Sequence, residues 1–311
     1  KDMPSYVVVP NFLGRLQDYR VQLRRPGETG GWLGRGFDPV NTRIEKRDSK
    51  DNPYWRDCTD EELSFQIEGL VSHEALTIDR MSRRSSLLEQ FDASVKQLPA
   101  QSVQTYDQFQ QRALSLVSSQ RTREALDLSR ETDKLRDTYG RHLFGQSTLM
   151  ARRLIEAGSR FVTVHYDCVD GYSWDSHRNS DDVKKNLLPT MDAALSTLLT
   201  DLDDRGLLDE TLVVCMGEMG RTPKANASWG RDHWSTLFPA VLAGAGIQRG
   251  GLFGETDRDA AYAVTPPVSP EDLAATIYHA LGIDPELRVP DPQGRPTHVI
   301  DGGTPLTQLF G

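Results

Sequence analysis

Two stretches of this chain gather side chains that could do chemistry. Cys215–Trp234 (CMGEMGRTPKANASWGRDHW) follows the apolar run Thr211–Val214 and holds Glu218, Arg221, Lys224, Asp232 and His233 among glycines. His165–His177 (HYDCVDGYSWDSH) follows a second apolar run, Phe161–Val164, and ends in Asp175-Ser176-His177. Carboxylates and imidazoles form a mixed oxygen and nitrogen donor set of the kind that zinc, manganese and iron accept. Asp175 and His177, two residues apart on a loop, can face one cation. Gly230-Arg231 is a flexible lead-in that can return His233 towards Glu218. Between them, the fork of Arg221 matches the oxygens of a phosphate or sulfate, and Lys224 offers a point charge. Each cluster has a plainer reading. Asp175 can cap a turn while His177 packs on Trp174, and Arg221 can pair with Glu218 and Asp232 in a surface ion network.

The elements that must position these loops alternate between strands and helices. Tyr6–Val9 reads as a strand closed by Pro10, and Phe161–His165 as another. Leu149–Ala157 reads as a helix with Gly158 as its C-terminal cap, and Leu187–Arg205 as a long helix stopped by Gly206. The strands Leu212–Cys215 and Phe238–Leu242 follow, and Ser269-Pro270 opens a helix that ends near Gly282. Such alternation predicts an α/β fold, a mostly parallel sheet with helices on both faces. In such sheets ligands gather outside the carboxyl ends of the strands, which is where both clusters fall. The spacing of Leu87, Leu88, Phe91, Val95 and Leu98, then of Phe109, Ala113, Leu116 and Val117, predicts amphipathic helices in a helical insertion or cap over residues 60–141.

Composition bounds the rest. With 311 residues, 37% apolar and 26% charged, the chain can bury a substantial core. A net charge of −9 argues against a general nucleic-acid binder. Three widely spaced cysteines, Cys58, Cys168 and Cys215, form neither a disulfide framework nor a cysteine zinc site. No run approaches the roughly 18 apolar residues of a membrane span. The glycine-rich stretch around Trp32 reads as tight turns, because it lacks the Gly-Lys-Ser/Thr ending that cradles phosphate. Gly244–Gly251 reads as a turn between strands. His73, His142 and His279 read as packing or surface residues, and nothing in the spacing requires His298 at the site.

The segments GEMGRTPKAN and GRDHW, with WDSH, RGLLDETLVV and GETD, resemble the domain-of-unknown-function 1501 family, often labelled sulfatase-like. The likeness extends to MPSYVVVPNFLGRL, GGWLGRGFDP and DNPYWRDCTDEEL, and so covers nearly the whole chain. That family is grouped with the alkaline-phosphatase-like superfamily of metal-dependent phosphatases, sulfatases and phosphomutases. The resemblance implies a single α/β domain over residues 1–311 that lacks its N-terminal part, since the superfamily's nucleophile and first metal-binding aspartate lie in N-terminal strands. It implies Asp175, His177 and His233 as ligands of one divalent metal (zinc, manganese or calcium), with Glu218 and Asp232 also in the ligand set. Glu218 and Met219 stand where the superfamily has an Asp-His pair, and a thioether is a poor ligand for such a cation. Arg221 and Glu218 are then the candidate catalytic residues, and the substrate is a small-molecule or glycan sulfate or phosphate ester. Export to the periplasm or beyond is implied by the resemblance alone. The competing expectation is a non-catalytic member that binds a metal, a glycan or a protein partner.

Overall fold

A computed structural model of the chain describes residues 3–10, 29–44, 53–54, 56–67, 119–166 and 174–311. They fall into two compact units, Lys1–Tyr166 and Asp167–Gly311.

The first unit is built on a four-stranded mixed sheet. Strand β1 (Tyr6–Val9) lies between β2 (Val40–Arg43) and β4 (Phe161–Val164), parallel to both, and β3 (Gln66–Ile67) joins β2 antiparallel at the edge. Val7, Val8 and Val9 are fully buried, as a branched apolar run flanked by strands on both sides should be. The buried Thr42 hydroxyl donates to the Val8 carbonyl, which satisfies a polar group inside the sheet. Helix α3 (Leu143–Glu156) packs on β1 and β4, and α1 (Gln120–Leu126) and α2 (Asp133–Tyr139) pack on α3. It buries Leu143, Leu149, Met150 and Leu154 completely. The cap expected at Gly158 is present: Gly158 N–H donates to Ile155, Ser159 N–H to Leu154, and Gly158 takes φ of +100°. At the other end, the His142 ring nitrogen Nδ1 accepts the Gly145 N–H and so caps the helix. Burial lowers the pKa of this imidazole to about 4, against a weaker upward pull from Asp57.

The glycine-rich stretch forms two turns, Gly31–Leu33 and Arg35–Phe37, tied by the Gly30 N–H to Asp38 Oδ1 at 2.7 Å. Residues 68–118, which carry His73 and the two amphipathic repeats, lie outside the described residues, so only the flanks of the insertion expected over 60–141 are seen. Cys168 also lies outside them.

The second unit contains α4 (Leu188–Asp204), β5 (Val213–Met216), β8 (Ala240–Ala243), α5 (Pro270–Ala280) and the hairpin β9 (Arg288–Pro290)–β10 (Pro296–His298). A wide helical turn at Val183–Leu187 leads into α4. It falls just before Pro189, which has no N–H to give to the preceding turn. Gly206 ends α4 at φ of +68°, with Leu207 N–H donating to Leu202. At the start of α5, Ser269 and Asp272 cap each other's backbone, and Pro270 occupies the first turn. His279 lies edge-on to Phe310, a packing role.

The sheet expected to be mostly parallel is mixed: β1, β2 and β4 are parallel and β3 joins β2 antiparallel. Strands β5 and β8 form a separate antiparallel pair, Val213 opposite Ala243 through Met216 opposite Ala240. The chain between β5 and β8 folds back as a hairpin of β6 (Gly220–Arg221) and β7 (His233–Trp234), with no crossover helix to make a parallel neighbour.

Candidate functional site

The hairpin sets the geometry of the site. Arg221 and His233 stand opposite each other across β6 and β7, so their side chains rise on one face. Beyond them, Thr222 N–H donates to the Asp232 carbonyl at 2.9 Å and Asp232 N–H to the Thr222 hydroxyl at 3.2 Å. The loop at the hairpin tip winds around Asn226. Its side-chain oxygen accepts N–H bonds from Ser228 and Gly230, and its amide nitrogen donates to the His177 carbonyl at 3.1 Å and to Asp232 Oδ1 at 3.3 Å. The guanidinium of Arg231 donates to the Thr222 and Pro223 carbonyls and closes the loop from within.

The segment from Trp174 to Ser180 has no regular structure of its own and is held by this loop. Arg231 N–H donates to Ser176, Asn179 N–H to Ser228, and Ser180 N–H to Trp229, at 2.8, 3.1 and 2.7 Å. The indole of Trp229 donates to Asp181 at 3.2 Å. Gly230, which the sequence offers as a flexible lead-in, has another reason to be glycine. A Cβ there would lie 2.0 Å from both the carbonyl carbon and oxygen of His177. The two backbones touch.

These contacts bring three donor atoms together. Asp175 Oδ1 is 3.0 Å from His177 Nε2 and 3.2 Å from His233 Nε2, and the two Nε2 atoms are 3.1 Å apart. Donors about 2.1 Å from a shared ion stand about 3.4 Å apart in tetrahedral coordination and about 3.0 Å apart at adjacent octahedral positions. The observed triangle lies between these values, so the residues fit a divalent cation, and this trio is a metal-capable group of the described residues.

The orientation of His177 supports the fit. Its Nδ1 lies 3.1 Å from Asp232 Oδ1. A carboxylate can only accept, so Nδ1–H donates to Asp232, and Nε2 is the ring nitrogen turned to the cluster. That is the arrangement in which an outer carboxylate orients a ligating histidine. The hydrogen bonds from His177 and then Asn226 hold the Asp232 carboxyl below its usual range. For Asp175, desolvation is the largest influence and works against ionisation. The hydrogen bonds from Arg221 and His233, with the positive charge of Arg221, outweigh it and keep the carboxyl below the usual range.

Of the residues singled out in the sequence, Asp175, His177, His233 and Arg221 meet at one point. Asp232 stands one step out, on the far nitrogen of His177. Glu218 does not join them: it is exposed and has no ion pair or side-chain hydrogen bond among the described residues. Arg221 pairs with Asp175, Nη2 to Oδ1 at 2.5 Å, rather than with Glu218 or Asp232. Its Nη1 lies 3.4 Å from His177 Nε2 and from the Arg231 carbonyl. Among the described residues Lys224 enters only through its carbonyl, which accepts the Thr222 hydroxyl. Asn226, Gly230 and Arg231 are the residues that reading by chemical type passes over. An asparagine four residues before a glycine in a polar loop was the available signal.

The chain belongs to the family described as "Protein of unknown function (DUF1501)", which matches residues 1–310. No curated protein and no solved structure matches it.

Proposed function

We propose that this DUF1501 chain is a metal-dependent hydrolase of a sulfate or phosphate ester, with Asp175, His177 and His233 holding a divalent cation. The observation that carries the reading is the donor triangle with edges of 3.0–3.2 Å, one corner of which is oriented from behind by Asp232. The sequence resemblance to the alkaline-phosphatase-like superfamily supports the same chemistry, and the parallel β2–β1–β4 sheet is in keeping with an α/β fold of that kind.

When bound, the ion supplies Lewis-acid polarisation of a non-bridging ester oxygen. The chain's own groups do the rest. Asp175 contributes the one negative charge of the donor set, and His177 and His233 contribute neutral nitrogens. Asp232 fixes the tautomer and angle of His177. Arg221 is the donor available to an ester oxygen, because its fork suits two oxygens of a sulfate or phosphate group. Glu218, exposed and unpartnered among the described residues, takes no part in this scheme.

A second reading is favoured by exposure. The side chains of Asp175, His177 and His233 are 56, 43 and 52% exposed, more open than the water-excluded setting that strengthens catalytic electrostatics. On that reading the chain binds a metal, together with a glycan or a protein partner, without turnover. Elemental analysis of the purified chain, with hydrolysis of an aryl sulfate and an aryl phosphate across zinc, manganese and calcium, separates the two. Hydrolysis and one ion per chain, both lost in His233→Ala, are expected. An ion without turnover selects the second reading, and no ion at all refutes the first.

A further inference from the structure

We infer that Arg221 competes with the cation for the donor triangle, so that metal and a tetrahedral oxyanion bind the site together, each raising the affinity for the other. The inference rests on the metal-site reading above and concerns what regulates that site. Asp175 Oδ1, the one charged donor, is also the atom that Arg221 Nη2 contacts at 2.5 Å. Nη1 of the same guanidinium stands 3.4 Å from His177 Nε2, a second corner of the triangle. The fork thus stands against two of the three atoms that a cation needs.

Arg221 is also not free to leave the neighbourhood. Its backbone is fixed opposite His233 in the β6–β7 ladder, and its side chain is only 21% exposed. A divalent ion on the triangle would therefore lie a few ångströms from a permanent positive charge. At about 4 Å in water, with physiological salt screening part of the repulsion, that proximity weakens cation binding roughly tenfold. An oxyanion that accepts the fork of Arg221 gives the guanidinium an alternative to Asp175 and neutralises the repulsion. Coupling of this kind is reciprocal: the anion tightens the metal by the factor that the metal tightens the anion.

The test is calorimetric titration of the full chain with Mn²⁺, with and without sulfate, for the wild type and Arg221→Gln. Glutamine keeps an N–H donor and removes the charge. The expected results are Mn²⁺ binding that sulfate tightens in the wild type, and in Arg221→Gln roughly tenfold tighter binding that no longer responds to sulfate. The sign decides. A residue that merely orders Asp175 would, when replaced, weaken Mn²⁺ binding. Weaker or unchanged binding in Arg221→Gln overturns the competition while leaving the metal site standing. Absence of binding in both proteins, with and without sulfate, overturns the metal site and the competition with it. Binding by the variant alone confirms the competition in its strongest form.

Discussion

Replacing Gly230 with alanine tests whether the donor triangle depends on two backbones in contact. The new methyl carbon would sit 2.0 Å from the His177 carbonyl carbon and oxygen and 2.4 Å from the Arg178 nitrogen. Ordinary contact begins near 3.4 Å, so relief requires a separation of 3.4 − 2.0, or about 1.4 Å. All three obstructing atoms are backbone, and no side chain can swing away. The φ of Gly230 is not positive, so the effect is steric clash rather than backbone strain. Separation stretches the bonds Arg231 N–H to Ser176, Ser180 N–H to Trp229 and Asn226 Nδ2 to His177, each worth about 1 kcal/mol net. It also moves His177 away from His233. If the shift is taken up along their 3.1 Å separation, the nitrogens end about 4.5 Å apart. Two donors on one ion cannot be more than about 4.2 Å apart, twice the usual bond length. Gly230→Ala is therefore expected to lose cation affinity by at least ~100-fold, with an overpacking cost of about 1–3 kcal/mol in stability. Gly217→Ala is the control, since its Cβ would meet nothing closer than 3.6 Å and its φ is ordinary. Calorimetric Mn²⁺ titration of both variants, with thermal melts alongside, reads the outcome. A Gly230→Ala protein that binds Mn²⁺ as tightly as the control would refute the reasoning.

Two further predictions concern titrating groups. Asp232→Asn keeps the size of the side chain but can donate to His177 Nδ1, which frees the opposite tautomer. Cation affinity should fall about 10–100-fold, and nitrogen NMR of the His177 ring should show the proton shifting to Nε2. An unchanged ring spectrum would remove Asp232 from its orienting role. His142 titrates at about 4 when folded, against an ordinary value near 6.5. The unfolded chain thus binds the extra proton first, so stability holds above pH 6.5 and falls as pH drops from there to about 4, by about 3 kcal/mol at most. Denaturant midpoints followed over that range should flatten in His142→Asn, which can still cap α3 without titrating.

Much of the scaffold is legible from local chemistry because local chemistry decides it. The valines of β1 are buried as a branched apolar run implies, Ser269-Pro270 starts α5, and Gly158 and Gly206 end their helices in left-handed conformations that glycine adopts at no cost. Pairing is less legible. An apolar run such as Val213–Met216 fits a parallel or an antiparallel neighbour equally well, and its pairing with β8 is settled by what the intervening chain does. The same division holds at the site. Asp175, His177, His233 and Arg221 are recognisable by side-chain type, but the reason they meet is written in the backbone bonds between Ser176–Ser180 and Ser228–Arg231. Those bonds carry no residue-type signal except at Asn226, whose amide serves both segments, and at Gly230, whose missing side chain lets them touch. Glu218 shows the converse. A carboxylate beside a glycine at a strand exit looks well placed, yet β6 begins two residues later and presents Arg221, not Glu218, opposite His233. Cross-strand register, which a single sequence does not display, selects which charged residue of this loop faces the donor triangle.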